Sequence, residues 1–331
     1  MIAAEVSAGV SVDLYNSIVI EEDRSTSAGF GLAELDLRNA GGGDVRSRLV
    51  LRATLTEEGG EAETDLTVPR AEIRWRMRTA SDYTMRFSVG RTRVSWGDGQ
   101  LYNAGDVING AAPTELDLTA DTLRDETLWL LSAYVPLGRF AFFEPVTLFP
   151  MADETESRDA DEIASGGRVQ VRIFNMKTEA GYLYRGDDAL HQPYLSLQGN
   201  LFIDWYVAAS TTQPVDDEGD LSVSGGLLHT GTGPRLGTWT MRIETLWTGA
   251  DERFLVYPEI TWAPSQLIST FVRTQIVSVE EGRWTSIEDP AVLSTIGVSW
   301  TPRTALTLSV YGSIDTELEA GTVTAAVGYV F

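Results

Sequence analysis

The sequence predicts an all-β fold, a transmembrane antiparallel up-and-down β-barrel of about 18 strands, with sixteen as the alternative count. Three observations predict it. Apolar and polar residues alternate with period two over almost all of the 331 residues, which places successive side chains on opposite faces of strands. The connections alternate between very short ones and longer, acidic ones. Aromatic residues gather at strand ends.

The elements follow in order. In 4–18, Val6, Ala8, Val10, Val12 and Leu14 oppose Glu5, Ser7, Gly9, Ser11 and Asp13. Span 27–39 carries Glu34, Asp36 and Arg38 on one parity. In 45–57, Leu49, Leu51 and Ala53 oppose Arg46, Arg48 and Arg52, and in 63–79, Ile73, Trp75 and Met77 oppose Glu72, Arg74, Arg76 and Arg78. Span 82–94 carries Arg86, and Gly90 with the parity break at Arg91 and Arg93 predicts a β-bulge there. Alternation then lapses through 95–125, a stretch holding Gly97, Gly99, Gly105, Gly110 and Pro113. Spans 126–136 and 139–149 flank a tight turn. In 163–174, Val169, Val171 and Ile173 oppose Arg168, Gln170 and Arg172, and 176–186 returns beside it. Spans 192–199, 202–212 and 221–230 follow, and the pairing around 190–210 and 221–232 is the least defined, which is why sixteen strands stand as the alternative. Spans 236–248, 253–263 and 267–280 carry Arg242, Glu244, Glu259 and Arg273. Spans 291–301, 304–314 and 321–331 complete the count, the last with Val323, Ala325, Val327, Tyr329 and Phe331 in alternation.

Tight turns are expected at 39–44, 79–82, 136–139, 174–176, 263–266 and 301–303. Longer acidic connections are expected at 56–65, 97–125, 151–162, 214–220 and 280–290. Trp129, Tyr134, Phe149, Trp205, Tyr206, Trp247, Trp262 and Trp300 fall where interfacial girdles would sit. The whole chain, 1–331, reads as one barrel domain without an internal boundary. A β-sandwich or β-solenoid with one buried face is the competing architecture for the same period.

Composition narrows the classes of function. Apolar residues make up 43%, mean hydropathy is −0.08, and no apolar run approaches the ~20 residues of a membrane-spanning helix. The longest, 128–138, is broken by Ser132 and Pro136. The absence of cysteine removes disulfide frameworks and thiolate chemistry. A net charge of −23 argues against nucleic-acid binding. Lys177 is the only lysine, so the positive charge consists of planar guanidinium forks suited to carboxylate and phosphate. His191 and His229 lie in no nucleophile motif, and no phosphate loop, dinucleotide fingerprint or zinc spacing is present. The expectation is therefore no enzyme, no cofactor and no metal site. The acidic run Asp153, Glu154, Glu156, Asp159, Asp161 and Glu162 matches no twelve-residue calcium loop and reads as a solvated rim.

The closing residues Gly328, Tyr329, Val330 and Phe331 resemble the terminal signature of bacterial outer-membrane barrels. That resemblance implies recognition of Tyr329 and Phe331 by the barrel-assembly machinery and residence in the outer membrane. Residues 1–10 lack the features of an export signal, so the chain is expected to begin at a mature or engineered terminus with the signal outside this numbering. A second stretch, 89–110, with Gly90-Arg91, Trp96-Gly97, Asn103 and Asp106-Val107-Ile108-Asn109, is similar to porin-like and polysaccharide-export-like barrels.

A barrel of this size holds an aqueous lumen. Turning the polar parity inward puts Arg46, Arg48, Arg52, Arg74, Arg76, Arg78 and Arg86 on one wall, with Arg168, Arg172, Arg242 and Arg273 opposite or flanking it among Glu179, Glu244 and Glu259. Two readings of these arginines stand side by side: a selectivity surface, or pairing with lumen carboxylates that stiffens the wall. The segment 95–125 is expected to fold inward as a constriction, with Trp96, Asp98, Asn103, Asp106 and Asn109 meeting the arginine wall, or else to cover the rim. The expected function is diffusion of small hydrophilic, including anionic, solutes. The alternatives are saccharide-polymer export and a non-conducting barrel that binds a partner. Lipid, the assembly machinery, solutes and copies of the chain itself are the expected partners.

Overall fold

Period-two alternation is realised as eighteen antiparallel strands closed into one barrel in a computed structural model. It describes residues 6–21, 24–39, 44–58, 61–79, 83–113, 116–120, 123–124, 126–150, 163–186, 189–215, 219–233, 237–250, 252–279 and 290–331. The strands are β1 (Val6–Glu21), β2 (Arg24–Asn39), β3 (Val45–Glu58), β4 (Glu61–Arg78), β5 (Thr84–Thr92), β6 (Leu128–Pro136), β7 (Ala141–Phe149), β8 (Ala164–Ile173) and β9 (Met176–Arg185). They continue as β10 (Leu190–Asn200), β11 (Asp204–Pro214), β12 (Asp220–Gly233), β13 (Gly237–Thr248), β14 (Arg253–Ser265), β15 (Ile268–Val279), β16 (Ala291–Arg303), β17 (Leu306–Asp315) and β18 (Ala320–Val330). The expected eighteen strands are present and the alternative of sixteen falls away, because β10, β11 and β12 form ladders with their neighbours.

Each strand pairs with its sequence neighbour, and β18 returns to β1, from Ser11 opposite Val330 to Ile20 opposite Gly321. Closure satisfies the backbone groups along the wall without leaving an edge. The outer face is apolar, with Leu14, Ile73, Leu195, Ile260, Ile296 and Val310 about half exposed. A bulge between Val50 and Arg52 on the β3–β4 ladder switches the outward parity of β4, from even-numbered Leu66 to odd-numbered Ile73.

At one end of the barrel, the turn end, the described connections are short, as between Ile173 and Met176, Ser265 and Ile268, and Arg303 and Leu306. The other, the loop end, carries the 93–127 segment. The residues at 40–43, 80–82, 151–162 and 280–289 lie outside the described set, and with them parts of two expected turns, most of the loop at 280–290 and the acidic run from Asp153 to Glu162. Two expected long connections are corrected. β3 and β4 run on to Glu58 and Glu61, so 56–65 is nearly all strand, and β11 extends to Pro214, which shortens 214–220. Strand pairing here continues into polar sequence, where hydropathy alone ends it.

The aromatic rows also differ from expectation in two members. Trp129 pairs with Phe149, and Trp247 with Phe254, near the loop end. Trp205, Trp262 and Trp300 sit near the turn end. Tyr134 and Tyr206 have the opposite parity and point inward. Tyr134 lies opposite Arg86 and under its guanidinium, and Tyr206 donates to the Tyr102 carbonyl at 2.8 Å. The bulge expected at Gly90 is absent: pairing runs unbroken through it on both sides. Gly90 has φ of +121°, and a Cβ there would lie 2.0 Å from the Ala71 carbonyl oxygen, so the glycine admits a close backbone approach within a regular ladder.

Candidate functional site

The inward parity of β8 to β15 carries the groups that receive the 93–127 segment. Glu179 accepts from the Gly97 amide at 2.6 Å and from the Tyr194 hydroxyl at 2.6 Å. Glu244 accepts three amides, Gln100 at 3.0 Å and Leu101 and Tyr102 at 2.8 and 2.9 Å. Ser224 accepts from the Ala104 amide at 2.8 Å. The guanidinium of Arg185 donates to the carbonyls of Val107 and Ile108, and that of Arg273 to those of Leu118 and Ala120. Strand side chains thus supply what irregular backbone lacks, and the segment can lie buried inside the wall.

Its own residues lock it further. Trp96, Leu101, Tyr102, Asn103, Ala104, Asp106, Val107 and Ile108 are all buried, and Trp96 stacks on Tyr194 with ring centres 5.7 Å apart. Asn103 donates to the Trp96 carbonyl and accepts from the Gly105 amide. The Asp106 carboxylate accepts from Ser95 at 2.9 Å, while Asn109 bridges it to the Val94 carbonyl. Burial pushes the Asp106 carboxyl above the usual aspartate range, against the opposing pull of Arg124 at 3.6 Å. Burial also pushes the Tyr102 hydroxyl up to about 12.

The segment therefore meets a different wall from the one expected. Asp98 pairs with Lys177 at 2.5 Å and accepts from Ser196 at 3.0 Å. Trp96, Asn103, Asp106 and Asn109 find partners within the segment or on β10, and no ion pair joins them to the β3–β5 arginines among the described residues. The physical reason is that the carboxylates that accept loop amides stand on β9 and β13, whereas β3 to β5 present mainly guanidinium donors and their buried carboxylate, Glu72, is already held by Arg74 and Thr92.

The arginines divide into two sets. In the first, Arg168 holds Glu144 at 2.6 Å and Glu179 at 3.0 Å, Arg242 holds Glu259 at 2.6 Å, and Arg273 holds the same Glu259 at 3.0 Å. Arg48 shares Asp36 with Arg38, Arg52 holds Glu34, and Arg74 holds Glu72 at 2.8 Å. In the second set, Arg46, Arg76, Arg78 and Arg86 have no carboxylate partner among the described residues. Arg86 lies over the Tyr134 ring at 4.5 Å. Arg172 sits apart, beside Lys177 at the turn end.

Sequence reasoning put Glu72 on the inward parity beside Arg74 but missed Thr92, which donates to it in a buried hydrogen bond, and the anchors Ser196, Ser224, Arg185 and Gln275. The last donates to the Tyr102 hydroxyl at 2.7 Å. Inward parity marks all of them, but many lumen residues share that signal. Tyr329 and Phe331 close the chain on the outer face, their rings edge to face at 4.5 Å.

No family model and no curated protein matches the sequence. The fold does match solved structures. That of Pseudomonas aeruginosa OccK2 (OpdF) superposes with a TM-score of 0.64 at 9% identity, covering 99% of this chain and 98% of that one. The structure of Pseudomonas aeruginosa OpdK with vanillate gives 0.57 at 10% identity, covering 98% of each. Acinetobacter baumannii OccAB3 gives 0.59 at 8% identity, covering 99% of each. These structures are of the porin type and not of the polysaccharide-export type, so the export side of the likeness read at 89–110 is withdrawn. What this chain shares with them is the closed eighteen-stranded barrel.

Proposed function

We propose that this chain is a bacterial outer-membrane channel that passes small hydrophilic solutes, anions preferentially, through a lumen narrowed by 95–125. The observation that carries the reading is the separation of the two inner walls. The inward segment is clamped to β8–β15, and Arg46, Arg76, Arg78 and Arg86 on β3–β5 keep guanidinium charge facing the remaining space. Fixed charge of one sign along a pore raises the local concentration of the opposite ion. Two of the similar structures contain small organic acids, glucuronate in that of OccK2 and vanillate in that of OpdK, which agrees with an anionic cargo. The apolar outer band, the aromatic rows and the contrast between short turns and longer loops support residence in the outer membrane. The outward position of Tyr329 and Phe331 suits recognition by the assembly machinery.

The test is single-channel conductance of the folded protein in a planar bilayer under a salt gradient. Discrete steps with a reversal potential on the anion side are expected. A silent bilayer that holds folded protein would overturn the channel reading in favour of a closed, partner-binding barrel.

A further inference from the structure

At the turn end of the β3–β6 wall, three of the arginines without a carboxylate partner among the described residues, Arg46, Arg76 and Arg86, converge with Arg74, Arg93 and Tyr134 on a cavity of about 290 Å³. The strand register makes it unusual. Arg46 lies directly opposite Arg74, and Arg76 directly opposite Arg86. Like charges facing each other across a ladder repel, and a guanidinium cannot escape by losing its proton. Arg74 and Arg76 are two positions apart on β4, roughly 7 Å along the strand, and adjacent strands lie roughly 4.8 Å apart. The two facing pairs therefore form one compact patch.

Among the described residues, neutralisation of this patch is incomplete. Two carboxylates line the cavity, Asp44 and Glu144. Glu144 is already held by Arg168 at 2.6 Å, and Glu72 answers Arg74 alone. Tyr134 fixes the plane of the Arg86 guanidinium from below and leaves its N–H edges free for an anion. Ser88, Ser132 and Thr92, together with the apolar Trp75, Phe87 and Val94, complete the lining.

We propose that this cavity binds a small multivalent oxyanion, one carrying at least two negative charges as a phosphate ester or an oligocarboxylate does. A single monovalent carboxylate satisfies one fork and leaves the facing pair repelling. An anion with several charged oxygens bridges Arg76 and Arg86 and reaches Arg46, using the bidentate geometry that favours guanidinium over ammonium. The site lies on the turn side of the inward segment, so a solute reaches it after passing the constriction from the loop end. This inference rests on the channel reading and adds a substrate class to it.

The test measures interruption of the single-channel current by pyrophosphate, citrate, acetate and gluconate, added in turn, for the natural chain and for R76Q/R86Q. Pyrophosphate and citrate are expected to interrupt the current at concentrations at least roughly tenfold below acetate and gluconate. R76Q/R86Q should raise the effective pyrophosphate concentration by roughly tenfold or more, from the loss of two charge-assisted contacts. R76K/R86K, which keeps the charge and loses the forks, should fall between. Equal potency of pyrophosphate and acetate, or no change in the double variants, overturns the inference and leaves the channel reading standing. If the natural chain does not conduct, the channel reading fails, and calorimetric titration of pyrophosphate into the detergent-folded barrel decides the site by itself. Heat of binding lost in R76Q/R86Q sustains the site, and absence of heat in the natural chain rejects it.

Discussion

The two inner walls of the barrel use the same residue for opposite purposes. On β8–β15, each of Arg168, Arg242 and Arg273 meets a carboxylate at 3.0 Å or less; Glu179, held by Arg168, also accepts the Gly97 amide, and Glu244, 3.8 Å from Arg242, accepts three more amides of the 93–127 segment. The charges there are spent on architecture. Near the turn end of β3–β5, Arg46, Arg76, Arg78 and Arg86 lack such partners among the described residues, and their field reaches the lumen. The difference teaches that an arginine count along a lumen says little about selectivity until each guanidinium has been matched to its acceptor.

Breaking the structural wall should give the largest effect. Glu244→Ala removes the acceptor of three amides in the buried segment, and each amide left unpaired costs about 1–3 kcal/mol. The segment should leave the wall, seen as a higher and noisier single-channel conductance; unchanged conductance would contradict its anchoring role. Arg273→Ala comes next. It leaves Glu259 with Arg242 alone and strips the Leu118 and Ala120 carbonyls of their donor. Losing one partner of a buried pair costs about 3–5 kcal/mol, and a lower midpoint in a denaturant titration should record it.

Substitutions on the free wall sharpen the comparison by doing the reverse. Changing Arg74, Arg76 and Arg78 together to alanine should shift the reversal potential toward cations, while the two exposed, unpaired members of the three contribute within about 0.5 kcal/mol each to stability. A selectivity unchanged by the triple substitution would sink the field argument. The smallest effect concerns Tyr102. Because burial lifts its hydroxyl from 10.0 to about 12, the folded chain holds this proton more tightly than the unfolded one. Its contribution is complete below pH 10 and is lost as pH rises through about 12. Alkaline unfolding of the natural chain should be steeper in that window than that of Tyr102→Phe.

Strand positions were largely legible in the sequence, since a period of two fixes which side chains share a face wherever the ladder is regular. The span 45–57 became Val45–Glu58, and 176–186 became Met176–Arg185. The same period gives no distance across the lumen. It could place Glu244 and Arg76 inward, but which of them the buried segment would meet depends on acceptors and donors brought together by closure. Tyr134 and Tyr206 show the related weakness of judging tyrosines by type instead of parity. At Gly90 the glycine reflected a contact with the Ala71 carbonyl, a reason that does not distinguish a bulge from a straight strand before the neighbouring chain is known.

The seam between β1 and β18 sets a timetable for building the molecule. Ser17 and Thr324, whose hydroxyls meet at 2.8 Å, stand 307 positions apart in the chain. Until β18 has been made and delivered, β1 and the latest strand both present unsatisfied edges open to any passing strand. Contacts this distant in sequence also form slowly. Every copy must therefore wait, sheltered, for its far end before its near end is safe, and a lesion that delays β18 exposes β1 for just as long.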